Sequence, residues 1–80
     1  MSNEIIKIVI DVDSWFDESS FMLISYADEL GKLKGLSRTE RYIIIDSLSK
    51  SKSFYRLINH FLYHFDDYAI IKYRNQIYKP

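Results

Sequence analysis

Two groups of residues have the types and spacing that chemistry needs. Asp11, Asp13 and Asp17 crowd one short stretch together with Ser14, and such a set could seat a magnesium or calcium ion through carboxylate oxygens. His60 and His64 are four residues apart, a spacing that places both imidazoles on one side of a helix, as two ligands of a zinc site require. Asp66 or Asp67 could add a third ligand. Neither group is complete. The acidic stretch lacks the glycine and the bidentate glutamate of an EF-hand loop. The histidines have no acid of the H-E-x-x-H kind between them, and no further histidine or any cysteine exists to close the site.

Asp11-Val12-Asp13-Ser14 directly follows a hydrophobic strand and resembles the first motif of haloacid dehalogenase-type phosphatases. The resemblance covers fewer than ten residues. It implies a nucleophile at Asp11, an acid/base at Asp13 and a magnesium ion held by both. That family's doubly wound sheet, with distant Lys and Asp motifs, does not fit into 80 residues. The expected role of the stretch is therefore a strand end entering an acidic turn. With no catalytic set and no metal or cofactor site, the expectation is a non-enzymatic protein.

The elements that position these residues follow from periodicity. In Lys52–Phe65, residues Phe54, Ile58, Phe61, Leu62 and Phe65 form the one-sided stripe of an amphipathic helix. Lys52, Arg56, Asn59 and Tyr63 cluster on its opposite side. Glu4–Val12 alternates as a strand, with Ile6, Ile8, Ile10 and Val12 on one apolar face. Asp13–Ser20 reads as a loop whose Trp15 and Phe16 either fold back to cap a core or serve as partner-facing anchors. Ser19 or Ser20 caps a helix to about Leu33, with Phe21, Ile24, Ala27 or Asp28, and Leu30 or Gly31 as its stripe, and Met22 and Leu23 off it. Gly31 and Gly35 bracket its end.

Ser37-Arg38-Thr39-Glu40 matches the capping box and starts a helix to Ser49. The run Tyr42–Ile45 would suit a buried strand as well; the local cap favours helix. Ser51 or Ser53 caps the next helix, and Asp66-Asp67 stops it. Tyr68–Lys79 reads as a strand, or as a hairpin turning near Arg74-Asn75. The order gives a single α+β domain: an N-terminal strand, three helices and a C-terminal strand or hairpin, with the helices packed on one face of a short sheet. The first strand can pair only with the last, unless it pairs across a dimer.

Composition narrows the function. Five Phe, seven Tyr and one Trp suffice for a rich core in a small chain. Cysteine is absent, which rules out disulfides and leaves the redox compartment open; no run approaches a membrane span and nothing resembles a signal peptide, so the chain reads as soluble and cytoplasmic. Abundant isoleucine beside scarce Ala, Gly and Pro suits an AT-rich genome of the phage or archaeal-virus kind. The formal charge is zero, yet residues 1–31 hold seven acids and one base, and residues 32–80 hold four acids and ten bases.

Surplus aromatics and separated charge point to a protein-binding module, with Trp15, Phe16, Lys52, Arg56, Asn59 and Tyr63 as the partner-binding set. Its partner would be a host factor or a second copy. The alternative is a winged-helix-like regulator that reads DNA or RNA with Arg56 and Asn59 and grips phosphates through Lys50, Lys52, Arg74 and Lys79.

Overall fold

The computed structural model describes residues 7–15 and 20–78. Strand β1 (Ile8–Asp11) runs into a short 3-10 turn, Val12–Ser14. Helices α1 (Ser20–Leu33), α2 (Arg38–Ser49) and α3 (Phe54–Phe65) follow, and a hairpin of β2 (Ala69–Tyr73) and β3 (Gln76–Tyr78) completes the fold. The sheet order is β1-β2-β3, with β2 central, parallel to β1 and antiparallel to β3. This is the small α+β domain expected from the element order. Residues Tyr42–Ile45 are helical.

Helix α3 is the keystone. Leu57, Ile58, Phe61, Leu62 and Phe65 are buried, making α3 the largest contributor to the core. Its inner side meets the alternate residues Ala69, Ile71 and Tyr73 of β2 and Ile10 of β1, all buried; Phe54, at the stripe's start, is only partly so. The other face of the sheet is open: Val9 and Ile77 are each 65% exposed. Helices α1 and α2 close the core from outside α3, through Leu23, Ala27, Leu30 and Leu48.

The stripe of α1 differs from the one expected. Leu23 is wholly buried (0%) and Phe21 is 81% exposed. The buried line is Leu23, Ala27, Leu30 and Gly31, at i, i+4, i+7 and i+8. Phe21 shares the charged side of α1, where Phe21, Ser25, Asp28, Glu29 and Lys32 fall at i, i+4, i+7, i+8 and i+11; the buried line lies opposite, with α2 packed along its edge at Gly31. Gly31 lies there because a Cβ on it would stand 2.9 Å from Cγ of Arg41. The helix then ends in a Schellman motif. Gly35 (φ 83°) turns left-handed, the Leu36 N–H donates to the Gly31 carbonyl and the Gly35 N–H to the Lys32 carbonyl.

Helix α2 opens with the full capping box, the Ser37 hydroxyl accepting from the Glu40 N–H at 3.1 Å and the Glu40 carboxylate from the Ser37 N–H at 3.0 Å. Where a hydrophobic staple would bring an apolar fourth residue against Leu36, Arg41 makes a polar equivalent. Its guanidinium donates to the Leu36 carbonyl (2.8 Å) and to Asp28 of α1 (3.2 Å). One side chain thereby ties the end of α1, the connector and the start of α2.

The hairpin turns at Arg74 (φ 52°) and Asn75 (φ 60°), both left-handed as a tight two-residue turn requires. Asp13 explains why two non-glycine residues hold that geometry. Its carboxylate accepts from both turn amides, Arg74 N–H at 2.6 Å and Asn75 N–H at 3.0 Å. The Asn75 amide above all, then that of Arg74 and the Lys72 charge, hold the Asp13 carboxyl below its ordinary value against the opposing effect of desolvation. A carboxyl depressed in the folded state contributes stability that is complete above its unfolded value, near 3.8, and is lost as pH falls through the lower folded value. Asp13→Asn is therefore expected to destabilise the fold at neutral pH and to flatten the acid limb of its stability profile. Urea melts of both proteins between neutral pH and the acid range below 4 would read this. Parallel curves with equal midpoints would contradict the clamp.

Candidate interaction face

Of the acids and histidines that could have held metal, Asp17 lies outside the described residues, and Asp13 and His60 make contacts that serve the fold. Asp13 clamps the hairpin, and Asp11 lies in register with Lys72, one of its carboxylate oxygens buried and without a hydrogen bond. The Ser14 hydroxyl donates to the Asp11 carbonyl at 2.7 Å. His60 and His64 do stack along α3, ring centroids 5.2 Å apart, and His60 Nε2 meets the Ser47 hydroxyl of α2 at 3.3 Å. Burial first, then the neighbouring His60 and Lys34, holds His64 below the usual imidazole value. Among the described residues no third carboxylate or imidazole joins any pair to make a metal-binding group.

The outer side of α3 is different in kind. Lys52, Arg56, Asn59 and Tyr63 are all exposed, as its periodicity requires, and Tyr55 joins them. Tyr63 is 79% exposed and Tyr55 52%. The line continues past the helix end to Asp66 and Asp67, about 20 Å from Lys52 at 1.5 Å per residue. Because the inner side of α3 is locked in the core, this strip is displayed on a rigid backing.

At the N-terminal end of α3 the hairpin comes alongside. Phe54 and Tyr73 lie 5.2 Å apart, Tyr55 meets Tyr78 edge-to-face at 5.5 Å, and the Arg74 guanidinium lies 5.2 Å from the Tyr73 ring. Together with Ser53 these side chains line an open cleft of about 450 Å³. The tertiary fold thus brings Arg74 to the end of α3 that carries Lys52 and Arg56. Tyr55 and Tyr78, two of the surplus aromatics, stood outside the partner-binding set expected from sequence; Tyr55 shares the outer side of α3 at the i−4 position of Asn59, and that spacing was the available signal.

The charges on α3 run against its dipole. An acid is favoured in a helix's first turn and a base in its last. Helix α2 follows the rule only in part, with Glu40 three residues after its cap Ser37 but Arg38 in the same turn and no base in its last. Helix α3 has Ser53 as cap, its hydroxyl accepting from the Arg56 N–H at 3.1 Å, yet Arg56 occupies the glutamate's position and Lys52 precedes the cap. At the other end stand Asp66 and Asp67. None of these four has an ion-pair partner among the described residues, although Asp28, Glu29 and Asp46 all have one. The C-terminal carbonyls receive a cation from elsewhere: Lys34 donates to the His64 carbonyl at 2.7 Å, over the Phe65 ring.

The remaining sequence candidates fall elsewhere. Trp15 is half-buried and packed against the core, the capping role rather than the anchoring one. Phe16 and Lys79 lie outside the described residues. Lys50 is held by Asp46 at 2.9 Å, one turn back on α2. Among the described residues no helix is long and apolar enough to cross a membrane. Comparison with protein-family models, curated proteins and solved structures finds no match to this chain.

Proposed function

We propose that this chain is a non-enzymatic binding domain that docks on another protein through the outer face of α3. The observation that carries the reading is the exposed Tyr55–Arg56–Asn59–Tyr63 strip on the one helix whose other side is immobilised throughout the core. Tyr and Arg are the residues that anchor interfaces, and an ordered backing lowers the entropy cost of binding. The composition suits a phage- or virus-type accessory protein acting in the cytoplasm, with a host factor as the protein it inhibits or redirects. No cofactor takes part.

A second reading has one observation in its favour. The hairpin sets Arg74 beside the end of α3 that carries Lys52 and Arg56, as a winged-helix-like nucleic-acid reader would need. Against it, Lys50 is occupied by Asp46, and a phosphate backbone following the strip would run into Asp66 and Asp67.

Immobilised wild-type protein and Tyr63→Ala should be incubated with host lysate, with fluorescence anisotropy of duplex DNA and single-stranded RNA in parallel. Tyr63→Ala is expected to weaken retention of the partner by about thirty-fold, the size of a hot-spot anchor. Its own stability should stay within about 0.5 kcal/mol of wild type, as for an exposed position. Retention unchanged in Tyr63→Ala contradicts the reading. Salt-sensitive binding of either nucleic acid, lost in Arg56→Ala, would select the second one.

A further inference from the structure

Resting on the docking reading, we infer that the partner presents an α-helix lying parallel to α3, acidic at its N-terminal end and basic at its C-terminal end. Lys52 and Arg56 sit at the end of α3 that favours acids, and Asp66 and Asp67 at the end that favours bases. Helix α2 likewise carries a base, Arg38, in its first turn and none in its last, so what distinguishes α3 is the bipolar layout of its exposed strip, two bases at one end and two acids at the other.

The pattern complements one object closely. Ordinary helices carry acids in their first turn and bases in their last. Laid parallel to α3, such a helix sets its acids against Lys52 and Arg56, with Arg74 at the same end, and its bases against Asp66 and Asp67. Laid antiparallel, like charge meets like at both ends. The aromatic members of the strip supply the apolar contact. Tyr55 and Tyr63 are eight residues apart, about two turns, so a partner helix would meet them with apolar residues at matching spacing. The cleft between Tyr55, Tyr73 and Tyr78 receives the first of these side chains. A nucleic-acid strand, negative along its whole length, fits only half of the strip.

The probe is a pair of labelled helical peptides about five turns long, with identical leucine stripes. One has glutamates in its first two turns and lysines in its last two; the other has the charges exchanged. Anisotropy at low salt is expected to show the first binding wild-type protein about ten-fold tighter than the second, the sum of several modest surface pairs. The quadruple variant Lys52→Glu, Arg56→Glu, Asp66→Lys, Asp67→Lys should invert the preference, and high salt should erase it. Its circular dichroism and urea melt establish that it folds; if it does not, Lys52→Glu/Arg56→Glu alone should remove the preference. Equal affinities for the two peptides, no binding by either, or preference for a single-stranded oligonucleotide overturns the inference. A lysate partner lost in Tyr63→Ala but indifferent to the charge swap also overturns it and leaves the docking reading standing. Absence of any Tyr63-dependent partner removes the docking reading itself.

Discussion

Phe61→Ala is expected to cost about 3–5 kcal/mol, read as the fall in the urea midpoint at constant slope. Phe61 is fully buried at the centre of α3, its ring centroid 5.1 Å from that of Phe65. Truncation leaves a void between α3 and its neighbours that a small core cannot collapse to fill. A domain of 80 residues has a total stability of about 4–12 kcal/mol, so this one change removes a large share of it. The contrast with Tyr63, two residues further along the same helix, separates the two faces of α3: one substitution is expected to destabilise the fold, the other to weaken the proposed docking. A Phe61→Ala protein with an unchanged midpoint would mean that the stripe is not the core.

Arg41→Met should cost about 1.5–3 kcal/mol, toward the lower end because Asp28 remains 36% exposed. Methionine keeps the stem that packs on Gly31 and deletes only the guanidinium. The Leu36 carbonyl and the Asp28 carboxylate then lose a donor at a part-buried junction. Arg41→Lys should recover only part of the loss, since a single ammonium cannot serve two acceptors held in a guanidinium's fork. Urea melts give the magnitude, and hydrogen exchange should place faster opening at the α1–α2 connector. Equal midpoints for wild type and Arg41→Met would show that the capping box alone holds the junction.

Local chemistry was the readable part of this chain. Ser37 and Glu40 announce the start of α2, Asn75 announces the turn, and the spacing of Ile58, Phe61, Leu62 and Phe65 announces α3, because each signal lies within a few residues of what it causes. The exposed strip of α3 was readable for the same reason: it is the complement of the α3 stripe. What sequence alone did not reveal depends on distant partners. The inward turn of Leu23 rather than Phe21 is the exception, since Phe21 lies on the charged side of α1 with Asp28, Glu29 and Lys32. Arg41 acts as a staple only because Asp28 and Gly31 come to it. Asp13 resembles half of a catalytic or metal-binding motif until the hairpin, 61 positions later, places two amide donors against it. Trp15 sat between two readings that local composition could not separate, and its packing on the core favours one of them.

The parallel pairing of β1 with β2 has a consequence for the order of events in folding. The Ile8 N–H donates to the Tyr68 carbonyl, and the register runs from Ile8–Ala69 to Asp11–Lys72, so the sheet closes across all three helices. Closing so long a loop is entropically costly until the helices have shortened it, which places strand closure late. On the ribosome β1 is made before β2 and has no partner until Ala69–Tyr73 has cleared the exit tunnel. In that interval the chain carries an unpaired, apolar strand, the condition in which nascent proteins aggregate or recruit chaperones.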